Sequence, residues 1–159
     1  MRRLFILCCA ALVNVSAAAQ AQEKPKASAT AFRLAALDGR QWIAPNSDGR
    51  TTVIAYWDSS CPPCLVELAS LPQLARANPT IRFIAAGLEP RDVQRRTLAR
   101  FQVTGIELAI ATPATVQRLG NQRGILPFTT FHRTNGGVCD SLVRPLTQPA
   151  ISVGVERCR

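Results

Sequence analysis

Two cysteines three positions apart, Cys61 and Cys64, lie in the stretch Tyr56-Trp57-Asp58-Ser59-Ser60-Cys61-Pro62-Pro63-Cys64, where their spacing suits thiol–disulfide chemistry. The run before them, Thr51 to Tyr56 (TTVIAY), is β-branched and aromatic, as a buried strand requires. From Leu65 onward apolar residues fall at 65, 66, 68, 69, 71 and 74, which is helical spacing. Cys61 is therefore expected at a strand-to-helix junction, with Cys64 one turn inside the helix. A thiolate at Cys61 would face unsatisfied backbone N–H groups and the positive end of the helix dipole. That environment lowers a thiol pKa. Cys61 is read as the attacking thiolate and Cys64 as the resolving thiol that collapses a mixed disulfide. Pro62 and Pro63 fit a first helical turn, whose N–H groups have no intrahelical partner. The competing use of C-x-x-C is half of a structural metal site. The chain has one such motif, one histidine and no other Cys/His pair at ligand spacing, so neither a metal nor another cofactor is expected.

The elements that must position this pair follow in order along the chain. Phe32-Arg33-Leu34 and Gln41-Trp42-Ile43, joined through Asp38-Gly39, form an expected N-terminal β-hairpin. Asn46-Ser47-Asp48-Gly49 is a turn leading into the strand at 51–56. The helix after Cys61 is expected to reach about Ala77, bent near Pro72, and to end at Asn78-Pro79. A continuously apolar strand, 81–88, precedes a helix beginning after Glu89-Pro90 with Val93, Leu98 and Phe101 on its apolar face. A short strand at 106–110 leads to Thr112-Pro113, a strong helix start, and that helix stops at Gly120. Strands at 128–132 and 138–143 flank the turn Asn135-Gly136-Gly137, and Thr147 caps a last helix over 148–157. The order β-β-β-α-β-α-β-α-β-β-α predicts an α/β fold with a mixed central sheet and helices on both faces.

The N-terminus is read separately. Met1-Arg2-Arg3, an apolar run from Leu4 to Val13 and small residues through Ala21 have the layout of a secretory signal peptide over 1–21. The alternative, an uncleaved anchor, has too short an apolar run for a bilayer core of ~30 Å. Residues 22–30 (QEKPKASAT) are expected to be a flexible linker and 31–159 a single domain. Without the leader the formal charge falls from +9 to +7 and four cysteines remain: 61, 64, 139 and 158. An exported chain with an even cysteine count fits an oxidising compartment, here the bacterial periplasm, as a soluble protein. No basic run is interleaved with aromatics, so no nucleic-acid partner is expected.

Taken together, the element order and motifs resemble the TlpA/ResA-like exported thiol–disulfide oxidoreductases, a branch of the thioredoxin superfamily. Phe32 to Arg40 resembles the opening hairpin of that family. Trp57 through Cys64, followed by Glu67, resembles its W-x-x-x-C-x-P-C-x-x-E signature. The segment 81–123 lies where the family inserts a helix and strand, and Gly124 to Thr130 with Asn135-Gly136-Gly137 resembles its G-x-P-x-T-x-F strand and closing hairpin. Two departures are plain. Ser60 stands where many members have tryptophan, and Ala55 where thioredoxins themselves carry a buried aspartate.

The resemblance implies a thioredoxin fold and gives further residues roles. Glu67, on the same helix face as Cys64, is implied as the acid/base for the Cys64 proton, expected as a half-buried carboxylate. Pro127 is implied as a cis-proline facing the cysteines, leaving the Leu126 backbone free to pair with an extended substrate. Trp57, Ser60 and Pro62 join Leu126 and Pro127 as expected substrate-binding residues, Trp57 having ordinary core packing as its alternative. His132 is read as structural. Cys139 and Cys158 are read as a disulfide tying the closing hairpin to the last helix, with a second redox pair or two free thiols as alternatives. The implied function is disulfide exchange with exported cysteine-containing proteins. A reductant is expected, served by a membrane thiol donor, with cytochrome c maturation as one task and a monomer as its form. A copper-delivery chaperone or a thiol peroxidase of the same superfamily are the alternatives. The first uses C-x-x-x-C, one residue longer than here; the second needs a proline and a Thr/Ser where Ile54 and Asp58 stand.

Overall fold

The computed structural model describes residues 32–159, so the expected signal peptide (1–21) and linker (22–30) lie outside the described residues. The central strand explains the rest. β3 (Thr52–Trp57) is buried along its whole length, with β4 (Arg82–Gly87) parallel on one side and β6 (Phe128–His132) antiparallel on the other. β1 (Leu34–Ala36) and β2 (Trp42–Ile43) form a hairpin that joins the sheet through β5 (Glu107–Ile110), and β7 (Val138–Leu142) closes the far edge. The resulting seven-stranded order is β2-β1-β5-β4-β3-β6-β7.

Alternation along β3 divides the core in two. Val53, Ala55 and Trp57 join Cys64, Leu68 and Leu71 of α1 (Pro62–Ala77), Leu98 of α2 (Arg91–Arg100) and Ile151 of α4 (Gln148–Arg157). Ile54 and Tyr56 turn the other way, to Phe128 and to Val116 of α3 (Pro113–Arg118). Helices thus cover both faces, as the element order predicts.

Local chemistry sets the boundaries. Thr112 and Thr147 cap α3 and α4 by accepting from the amides of Thr115 (3.2 Å) and Ala150 (3.4 Å). α1 continues through Pro72 to Ala77. α2 has no side-chain cap; its buried Gln94 instead donates to the carbonyls of Gly87 (3.0 Å) and Glu89 (2.7 Å). A Cβ on Gly87 would stand 2.3 Å from that Gln94 side chain, so only glycine permits the approach. At the other end of the sheet a disulfide joins Cys139 of β7 to Cys158 just past α4, with the Arg157–Asp140 ion pair (2.9 Å) beside it. Among the described residues no helix is long and apolar enough to cross a membrane.

Candidate active site

Cys61 and Cys64 are joined by a disulfide, with their Cα atoms 5.3 Å apart. Cys61 is the N-cap of α1. Its sulfur accepts from the Cys64 amide at 3.3 Å, and its own amide donates to the Asp58 carbonyl at 3.2 Å. Cys61 is partly exposed while Cys64 is fully buried. The asymmetry suits one sulfur for attack from solvent and the other for attack from within.

The loop leading into Cys61 is held from two sides. Asp58 accepts from the amide (2.8 Å) and hydroxyl (2.5 Å) of Ser60, turning the backbone toward the helix. Glu89, thirty residues on, accepts from the amide of Ser59 (3.0 Å) and from its hydroxyl. Ser60 and Pro62 are exposed beside the pair, and Val66, one turn along α1, is 72% exposed.

Glu67 lies beneath. It is 2% exposed, a full burial where sequence spacing suggested a half-buried group. One oxygen, Oε1, accepts from the Leu146 amide (2.9 Å) and more weakly from the Thr129 hydroxyl (3.4 Å), while Oε2 is buried with no partner. Burial disfavours the anion and pushes the carboxyl up to about 7, against the opposing pull of the Leu146 N–H and the Thr129 hydroxyl. A carboxyl that titrates near neutrality one helical turn from Cys64 can take up and release a proton at working pH.

The Leu126–Pro127 peptide bond is cis. Phe128 pairs with Tyr56, so Pro127 stands level with Trp57, at the end of β3 that leads to Cys61. Pro127 itself is buried, Leu126 half-buried and Ile125 48% exposed, so the face available to a ligand is Ile125–Leu126 rather than the proline ring. Asn121 shapes this approach, donating to the Ile125 carbonyl (2.6 Å) and accepting from its amide (3.1 Å).

Trp57 requires correction as a substrate-contacting wall. It is 1% exposed: β4 pairs with β3 as far as Trp57, and the indole packs in the cluster that holds Cys64. His132 is at the opposite end of β6, four residues or ~13 Å from Phe128. There its ring bonds the Gly136 carbonyl and the Thr130 hydroxyl and stacks on Phe32, far from the cysteines. Cys139 and Cys158 share that distal end. Among the described residues no three His, Cys, Asp or Glu side chains gather as a metal-holding group. The contacts of Thr129, Leu146, Glu89 and Asn121 were not foreseen. Each joins residues through tertiary packing or a turn, and only the Ser/Asp-rich loop at 58–60 hinted at local bonding.

A mixed sheet, a cysteine pair at the head of the helix after its central strand, and a cis-proline opening the neighbouring strand define the thioredoxin fold. The chain has this fold. It is 36% identical over 63 residues to the sporulation thiol-disulfide oxidoreductase A of Bacillus subtilis (strain 168), which takes in 40% of this chain. The match spans 38% of the length of that curated relative. Among solved structures, dsbF of MTB superposes with a TM-score of 0.67 at 20% identity, covering 81% of this chain and 96% of that one. A secreted Mycobacterium tuberculosis disulfide oxidoreductase homologous to E. coli DsbE gives 0.61 at 21% identity, covering 79% and 95%. No protein-family model matches the chain.

Proposed function

We propose that the protein is an exported thiol–disulfide oxidoreductase that reduces disulfides in other exported proteins through Cys61 and Cys64. The observation that carries this reading is the Cys61–Cys64 disulfide itself, with one sulfur partly exposed at a helix N-cap and the other buried above Glu67. The similarity to a named thiol-disulfide oxidoreductase supports it, and the secreted M. tuberculosis structural neighbour supports export to the periplasm after cleavage of the N-terminal leader.

In the reduced protein the Cys61 thiolate attacks one sulfur of a substrate disulfide. A mixed disulfide forms and the other substrate sulfur leaves as a thiolate. Cys64, losing its proton to Glu67, attacks Cys61. That step closes the intramolecular disulfide and frees the second substrate thiolate. A dithiol donor on the membrane returns the two electrons, and the protein is again reduced. Substrate would lie extended over Ser60, Pro62 and the Ile125–Leu126 backbone, as strand addition requires. Apocytochrome thiols awaiting haem are one client class consistent with a reductant. The Cys139–Cys158 bridge is structural in this scheme, and the protein acts as a monomer.

Reduced protein should turn over insulin disulfides with dithiothreitol as donor, and Cys61→Ser should abolish turnover. Stoichiometric Cu(I) binding without turnover would replace this reading with copper delivery.

A further inference from the structure

Exposed aromatic surface and unpaired positive charge meet at the sheet edge formed by β1 and β2. Trp42 is 69% exposed. Its neighbour Ile43 is buried with Leu34 on the second face, so alternation turns Trp42 to the face that carries α2. Ala35, the cross-strand partner of Trp42, pairs on its other side with Ile110, which packs in the cluster that includes Leu98 of α2. α2 in turn presents arginines to the hairpin. A Cβ built on Gly39 would stand 2.6 Å from the Arg91 guanidinium, and Arg95 lines a groove at the edge of the hairpin with Asp38, Gln41, Ile43 and Glu107, the last of which is paired with Arg82. Arg40 follows Gly39 on the same turn, and alternation with Leu34 puts Arg33 on the Trp42 side.

These charges are free. Among the described residues none of Arg33, Arg40, Arg91 or Arg95 has a carboxylate within ion-pair range, whereas Asp92 is taken by Arg96. Asp38 is the acidic residue in this turn, and it accepts the Arg40 amide.

We infer that this face docks on an anionic lipid surface, with Trp42 entering the headgroup layer and Arg33, Arg40, Arg91 and Arg95 meeting lipid phosphates. An isolated indole beside cations matches the interfacial preference of tryptophan and the pull of anionic headgroups on basic residues. It lacks the row of stacking aromatics that single-stranded nucleic acid uses. β5 and β4 lie between this edge and β3, the strand that leads to the cysteine pair. The inference uses no thiol chemistry and stands apart from the proposed reaction.

The test is vesicle co-sedimentation of the chain expressed from Met1 and processed by its host. Vesicles of equal phosphatidylglycerol and phosphatidylcholine are compared with phosphatidylcholine alone. The expected result is binding to the anionic vesicles only, loss of binding in 0.5 M salt, and a blue shift of tryptophan emission from Trp42. Arg91→Gln/Arg95→Gln should weaken binding by roughly 25-fold, at about fivefold per cation near the surface. Trp42→Ala should abolish the blue shift. Both variants alter solvent-facing side chains and should unfold at the wild-type temperature. No binding to anionic vesicles, equal binding to neutral ones, or equal binding by wild type and both variants would overturn the inference. Tighter, variant-sensitive binding to a single-stranded oligonucleotide would overturn it in favour of nucleic acid.

Discussion

The backbone amide of Leu146 donates a 2.9 Å hydrogen bond to Oε1 of Glu67, seventy-nine residues earlier in the chain. This bond makes the connection between β7 and α4 part of the candidate active site. It keeps a buried carboxyl beside Cys64 close enough to neutrality to exchange a proton.

If Glu67 takes the Cys64 proton, Glu67→Gln should slow resolution of a Cys61 mixed disulfide about 10²-fold at pH 7. In the wild type the rate should rise with pH as the carboxyl ionises near 7, and the variant should lose that limb. Stopped-flow resolution of a trapped mixed disulfide reads both. Equal rates across pH 6–8 would remove Glu67 from the mechanism.

The same group makes stability depend on pH in a definite direction. Its folded pKa, about 7, lies above the ordinary 4.5, so the folded state binds more protons between those values. Stability is therefore greatest below 4.5 and falls as pH rises to 7. The loss is on the order of 3 kcal/mol. Glu67→Gln should raise the urea midpoint at pH 8 and change it little at pH 4.

His132 has the opposite sign. Burial holds the imidazole below its ordinary value, so its contribution is present above pH 6.5 and is lost as pH falls through the folded value. His132→Asn should lower stability at pH 7.5 and lose less on acidification than wild type. Comparing each variant with wild type separates the two opposing slopes. A His132→Asn curve parallel to wild type between pH 7.5 and 5 would contradict the assignment.

Gly154 packs α4 onto β6: an added Cβ would stand 2.4 Å from the Phe131 ring. Alanine gains roughly 1 kcal/mol of helix propensity over glycine there, but overpacking costs roughly 1–3 kcal/mol. Because Phe131 is fully buried and cannot yield, the clash should win. Gly154→Ala should unfold at lower urea concentration than wild type.

The Cys139–Cys158 bridge closes a loop with a separation of 19 residues. Chain entropy assigns such a loop about 3 kcal/mol. Cys139→Ala/Cys158→Ala should lose stability of that order while keeping insulin turnover. Loss of turnover in a folded variant would mean that the second pair takes part in electron transfer.

Much of this fold was legible because its signals are local. The β-branched run TTVIAY, the Thr112-Pro113 and Thr147 caps and the Asn135-Gly136-Gly137 turn each specify an element with little tertiary help. The cysteine pair was legible for the same reason, since strand, loop and helix follow one another in the chain. What escaped depends on residues distant in sequence. The full burial of Glu67 needs Leu146 and Thr129 above it, and the Ser59 clamp needs Glu89 from the next βα turn. For Trp57 the sequence left substrate contact and core packing both open. Its packing with Cys64 and the helices over that face of the sheet, which are distant in sequence, makes it core.

The reduction potential of the Cys61–Cys64 pair, measured by equilibration with dithiothreitol, tests the central claim most directly. A reductant of exported proteins should titrate near or below about −250 mV, in the range of thioredoxin rather than of the oxidant DsbA. A value above about −180 mV would contradict the account and make the protein a donor of disulfides.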